Sequence, residues 1–193
     1  MKTERTQNES ALVCAAREGD KEALNTLLLR HWRWLKALVY SVLADAQDLD
    51  DVMQDVCLRV VSRIHTLREP ECFGAWLAIL ARREAIKHYR GKARRPDPTT
   101  DGFVAMSARG VQRGPLERLE QRELCQKVLD AVETLPEMYR EVFMLAHSGA
   151  LTYAQMAEVL DVPVTTMQIR LVRARRMVQD RLSDRNRQKV HER

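Results

Sequence analysis

Between Leu49 and Ile64 the apolar residues Leu49, Val52, Met53, Val56, Val60 and Ile64 fall at i, i+3, i+4, i+7, i+11 and i+15. Only an α-helix gathers such a spacing onto one side, because side chains three and four apart stack on one face. The same interval recurs in Ala23, Leu27, Trp34, Leu35, Leu38 and Val42. Trp76, Leu77, Leu80 and Ile86 are expected to give the core face of a further helix. Composition agrees with these stripes. Glycine (7) and proline (6) are scarce, and aromatics make up only 5% of the 193 residues, so helix is favoured over sheet. The expected fold is all-α.

Punctuation divides the chain into two small helical domains joined by a flexible linker. Residues 1–9 are polar and are expected to be disordered. Ser10 can cap a helix from Ala11, and Gly19-Asp20 breaks it. Helices are expected over about 22–43, 48–64 and 73–90, with a loop from Thr66 to Cys72 that contains Pro70. This first domain spans 10–92. Residues 93–116 cluster Gly, Pro, Ser and Thr without periodicity and form the linker. The second domain spans 117–183, with core candidates Leu124, Val128, Leu129, Val132, Leu135, Val142, Phe143 and Leu145, before a polar tail over 184–193.

Net charge is +5, a mild pointer to a polyanionic partner, and its distribution is more informative. Residues 45–55 hold Asp45, Asp48, Asp50, Asp51 and Asp55 and no base. Residues 82–95 hold Arg82, Arg83, Lys87, Arg90, Lys92, Arg94 and Arg95 against one acid, Glu84. Either run alone could be a solvated helix face. Together they suggest one acidic and one basic contact surface.

The stretch LTYAQMAEVLDVPVTTMQIRLVRARRMV has the grammar of a helix-turn-helix. Its first helix, about 153–160, turns Met156, Ala157 and Leu160 inward. Asp161-Val162-Pro163 makes the turn, and Pro163 suits the first turn of a helix, where its missing N–H is not needed. In the second helix Met167, Leu171 and Ala174 face the core. Thr165, Thr166, Gln168, Ile169, Arg170, Val172 and Arg173 are left exposed or partly so. Such a helix enters the major groove, where Thr, Gln and Arg reach base edges. Arg175 and Arg176 suit contacts to the phosphate backbone.

Three segments resemble the extracytoplasmic-function (ECF) group of bacterial sigma factors, over about residues 10–183. AREGDKEALNTL resembles the opening helix pair of the family's region 2. DLDDVMQDVCLRVV resembles D-A-E-D-L-V-Q-E-x-F-L-R-V-W. LPEMYREVFML, followed by LTYAQMAEVLDVPVTTMQIRLVRAR, resembles region 4 with its L-S-Y-x-E-I-A-x-x-L-G-[IV]-[SP]-x-G-T-V-x-S-R-L-x-R-A-R. In addition, FGAWLAILARREAIKHYRGKARR resembles F-R-A-W-L-x-R-I-A-R-N-x-A-x-D-x-x-R-R.

The resemblance implies roles position by position. Asp48, Asp51, Gln54 and Asp55 fall on the motif that docks on the polymerase clamp. The partners implied are core RNA polymerase, through the clamp of its largest subunit and the flap of its second, promoter DNA, and an anti-sigma factor. The 66–72 loop and the following helix, with Arg82, Arg83, Lys87, His88, Arg90, Arg94 and Arg95, fall on the segment that reads the −10 element and holds an unpaired base. The helix from Val164, with Thr165, Thr166, Gln168, Ile169, Arg170, Arg173 and Arg175, falls on the −35 reader. The chain departs from the pattern at Arg83 (usually Asn), Lys87 (usually Asp), Gln168-Ile169 (usually Lys-Ser), Asp161 and Thr165 (both usually Gly). The altered positions face bases, so the family's promoter sequence does not carry over.

Other functions fit less of the chain. A helix-turn-helix regulator acting without polymerase explains residues 150–176 but not the acidic run. An enzyme is disfavoured, because no nucleophile elbow, phosphate loop or H-E-x-x-H occurs, and His65, His88 and His147 are scattered. No cofactor or metal site is expected. Cys14, Cys57, Cys72 and Cys125 form no C-x-x-C and read as reduced thiols. Trp34 and Trp76 sit at helical spacing and are assigned to the core rather than to base stacking. MKTERTQNES lacks an apolar signal core and no membrane insertion is expected, which implies a cytoplasmic site of action.

Overall fold

The computed structural model describes residues 2–43, 47–92 and 126–191, and all regular structure among them is helical. In order these are α1 (Lys2–Arg17), α2 (Lys21–Leu43), α3 (Leu49–Arg63), two 3-10 turns (Ile64–Thr66 and Pro70–Cys72) and α4 (Phe73–Lys92). Helical residues 126–133 (α5) follow, then α6 (Glu137–His147), α7 (Tyr153–Leu160) and α8 (Val164–His191). Arg94, Arg95, Leu124, Cys125 and the expected linker lie outside the described residues.

The first unit packs α1–α4 around one core. Leu49, Val52, Met53, Val56, Val60 and Ile64 are all buried there, together with Leu27, Leu35, Phe73 and Leu77. The chain turns between α1 and α2 at Gly19, whose φ of 102° favours glycine. Asp20 then caps α2: its Oδ1 accepts from the backbone N–H groups of Glu22 (2.8 Å) and Ala23 (3.0 Å). Trp34 Nε1–H donates to His31 Nδ1 at 2.9 Å, so His31 presents its other ring nitrogen to Glu9 Oε1 at 3.1 Å.

That contact corrects the expectation for the N-terminus. α1 begins at Lys2, and Ser10 is mid-helix rather than a cap. The added turns are held because Glu9 meets His31 and Asn8 Oδ1 accepts from Arg30 Nη2 at 2.9 Å. The C-terminus departs similarly. α8 runs on to His191 through residues expected to be a tail. No glycine or proline follows Pro163 to stop it, and Arg176 pairs with Asp180 one turn on, at 3.9 Å.

The second unit buries Val132, Leu135, Val142, Phe143, Leu145, Met156, Leu160, Met167, Leu171 and Ala174. Its turns are chemically explicit. Thr152 and Gln155 form a reciprocal capping box at the start of α7 (Thr152 N–H to Gln155 Oε1 2.9 Å, Gln155 N–H to Thr152 Oγ1 3.3 Å). Asp161 ends α7 in the left-handed conformation at φ 55°, where the related pattern has glycine.

The two units are packed on each other. Leu38 of α2 and Ala78 of α4 belong to the second unit's core, with Trp34 and Ile79 against it.

Candidate nucleic-acid and polymerase interfaces

On α3 the buried stripe leaves an opposite face in solvent. Asp51, Gln54 and Asp55 are exposed on that face, at helical spacing. Asp48 stands at the N-cap position, half-buried, with Oδ2 3.9 Å from His88 Nδ1. Along the same side follow Leu58 and Val61, 61% and 59% exposed. The motif reading had not assigned these two. Their signal was present in the sequence, since both fall between the buried positions of the stripe. The face is therefore acidic at its N-terminal end and apolar at its C-terminal end, which suits a protein partner better than solvent alone.

On α4 the structure divides the basic set. Arg83, Lys87 and Arg90, at i, i+4 and i+7, are exposed together. Lys87 Nζ lies 3.4 Å from Glu84 Oε2, and Glu84 also accepts from Arg59 Nε at 2.8 Å, so α3 neutralises the single acid of α4. His88 is half-buried, and its Nδ1 has no hydrogen-bond partner. Arg82 points the other way, at the second unit. Its Nε and Nη2 donate to Glu141 Oε1 and Oε2 at 3.0 and 3.2 Å, a two-pronged pair. Glu141 is only 4% exposed. Burial raises its pKa, and the hydrogen bond and charge of Arg82 offset only part of that rise.

The 66–72 segment between α3 and α4 exposes Thr66, Arg68, Glu69 and Glu71 and buries Leu67. Cys72 Sγ–H donates to Glu69 Oε2 at 3.4 Å, and that bond, before burial and nearby acids, pushes the thiol pKa up.

On α8 the structure gathers Thr165, Gln168, Ile169, Val172, Arg173 and Arg176 on the side away from the core, with Arg175 exposed on its flank. Thr166 and Arg170 are half-buried at the edge nearest the core. Ile169 and Val172 are 54% and 65% exposed, an unusual position for branched aliphatic side chains. A helix held in the second position of a helix-turn-helix, polar and arginine-bearing on its free side, is a DNA-reading element. The class defined is thus an all-α DNA-binding protein with a separate acidic face on α3.

The comparisons give the family. Residues 27–95 match sigma-70 region 2 and residues 125–178 match sigma-70 region 4. The chain is 29% identical over 182 residues to the ECF RNA polymerase sigma-E factor of Haemophilus influenzae, covering 90% of this chain and 95% of that one. It is 28% identical to the corresponding factor of Escherichia coli K12, covering 90% and 94%. In fold it resembles CnrH in complex with the cytosolic domain of CnrY (TM-score 0.61, 22% identity, 92% of this chain and 98% of that one). It also resembles the sigma factor RpoE of Bartonella quintana, solved with the anti-sigma factor NepR (TM-score 0.66, 22% identity, 84% and 98%). The chain belongs to the sigma-70 family, as a sigma factor of the ECF type. It binds core RNA polymerase and promoter DNA and acts in transcription initiation.

Among the described residues no group of His, Cys, Asp and Glu is placed to hold a metal, and no helix is long and apolar enough to cross a membrane.

Proposed function

We propose that the α3 face of Asp48, Asp51, Gln54 and Asp55, extended by Leu58 and Val61, docks on the clamp of core polymerase, while region 4 meets the flap. The observation that carries this reading is the exposed strip on α3, acidic at its N-terminal end and apolar at Leu58 and Val61. Arg83, Lys87 and Arg90, with Arg94 and Arg95 beyond the described residues, grip the backbone at the −10 element, and the 66–72 loop holds an unpaired base. Unstacking such a base costs a few kcal/mol, which polymerase and protein contacts together offset. Thr165, Gln168, Ile169 and Arg173 read the −35 element, with Arg175 on its phosphates and Thr166 and Arg170 at the flank. The chain acts by binding, not by making bonds, and works in the cytoplasm where polymerase is. An anti-sigma partner, of the kind solved with the sigma factor RpoE, would restrain it.

The direct test is run-off transcription with core enzyme and a cognate promoter; initiation no greater than with core alone rules the reading out. Leu58→Glu is expected to weaken core binding on the order of tenfold while leaving α8 intact. Unchanged core binding removes α3 from the interface.

A further inference from the structure

The segment between α3 and α4 is shaped before any DNA reaches it. Two short 3-10 turns fold it, Ile64–Thr66 and Pro70–Cys72. Thr66 Oγ1–H donates to the Arg63 carbonyl at 2.7 Å, and the Cys72 N–H donates to the Glu69 carbonyl at 3.0 Å. Leu67 in its middle and Phe73 at its end are buried in the region 2 core. Thr66, Arg68, Glu69 and Glu71 are exposed around these anchors. What holds the anchors therefore sets the shape of the exposed part.

Behind the loop lies a buried group that neither DNA reading nor polymerase docking uses. His31 of α2 is buried, and α1, α2 and α4 meet on its ring. Trp34, one turn on in α2, donates Nε1–H to His31 Nδ1 at 2.9 Å. Indole only donates, so Nδ1 is the acceptor and the ring proton sits on Nε2. That N–H points to Glu9 Oε1 of α1 at 3.1 Å. Phe73, which ends the loop and begins α4, meets the same ring edge-on with centroids 5.3 Å apart. Two directional bonds thus fix the ring against which the loop's last anchor packs.

The same helix reaches the exposed part of the loop. Ser10, next to Glu9, donates Oγ–H to Glu71 Oε1 at 3.5 Å, and α1 packs on both 3-10 turns. Asn8 Oδ1 accepts from Arg30 Nη2 at 2.9 Å, so consecutive residues of α1 fasten it to α2 on one side and to the loop on the other. We propose that Glu9 and His31 are positioning residues for promoter opening, which through Phe73, Ser10 and Glu71 hold the 66–72 loop in the shape that receives the unpaired −10 base. Neither touches the base. A loop shaped in advance loses little freedom when the base enters, so its contacts act against the cost of unstacking. A loosened loop still closes over a base, but it adapts to all four and discriminates less. The inference rests on the assignment of this loop to the unpaired base under the function proposed above.

The test uses full-length protein with core polymerase and four promoters that differ only in the base at the unpaired −10 position. The readout is the ratio of open-complex yield on the best base to that on the worst. A ratio does not depend on how much of the protein is folded, so a purely structural defect leaves it unchanged. Glu9→Ala removes the acceptor facing His31 and is expected to lower the ratio about threefold or more. Glu9→Gln keeps an amide oxygen in that place and is expected to restore the ratio to within about twofold of wild type. Arg68→Ala, on the exposed part of the loop, tests the loop itself and is expected to lower the ratio too. A ratio that falls in Arg68→Ala but holds in Glu9→Ala overturns the positioning role and leaves the loop's assignment intact. An equal fall in Glu9→Ala and Glu9→Gln overturns the hydrogen-bonded route through His31. A wild type indifferent to the base, or a ratio that holds in every variant, overturns the loop's assignment and this proposal with it.

Discussion

Side chains on one helix carry different loads, and α4 shows it within two residues. Arg82 is spent on Glu141, whereas Arg83 is free in solvent. Alanine at Arg83, Lys87 or Arg90 is therefore expected to weaken holoenzyme binding to any promoter alike and to lower the salt-dependence slope by about one per contact, read from affinities across a salt series. Ile169 and Val172 should act differently, because exposed methyl groups in the major groove meet the methyl of thymine. Replacing the contacted thymine by deoxyuridine should weaken wild-type binding severalfold and leave Val172→Ala indifferent. An equal loss in both proteins removes Val172 from the groove. The basic residues of α4 were legible from charge alone; their partition was not. Nothing in a single sequence couples Arg82 to a carboxylate 59 positions away. Glu141 did leave a trace, since it stands one helical turn before the buried Leu145.

At the level of elements the apolar period was decisive. The α3 stripe and the helix-turn-helix core are buried as their spacing required, because a helix has only one way to hide such a set. The ends were harder. Ser10 looked like a cap because polar residues precede it, yet Asn8 and Glu9 find partners on α2 and extend α1 backwards. Partners of that kind are tertiary and leave no local mark. The reading turn carries its own signals, and each has a measurable cost. Thr152→Ala breaks the capping box and should lower stability by about 1 kcal/mol in denaturant titrations. Asp161→Val places a β-branched residue in the left-handed region at φ 55° and should cost about 2 kcal/mol. Retained stability in the latter means that α7 ends differently in solution.

For the molecule as a whole, the seam between regions adds a dependence on pH. Burial holds the pKa of Glu141 above its ordinary 4.5 despite Arg82. The folded state thus binds more protons than the unfolded one just above that value. The stabilisation from this group is complete below 4.5 and is lost as pH rises through the folded pKa. Glu141→Gln removes the titration, so wild-type stability relative to this variant should decline from acid toward neutral pH in thermal melts. A constant difference shows that Glu141 titrates as an exposed carboxyl.

The placement of Leu38 and Ala78 also bears on how the chain comes apart. Two units that merely share a tether melt independently, each with its own enthalpy. Here region 4 borrows part of its interior from two helices of region 2. Heat should therefore dissolve both units in a single calorimetric transition. A fragment beginning near residue 126 would bare an apolar face that the intact chain covers, leaving it more prone to aggregate than the whole.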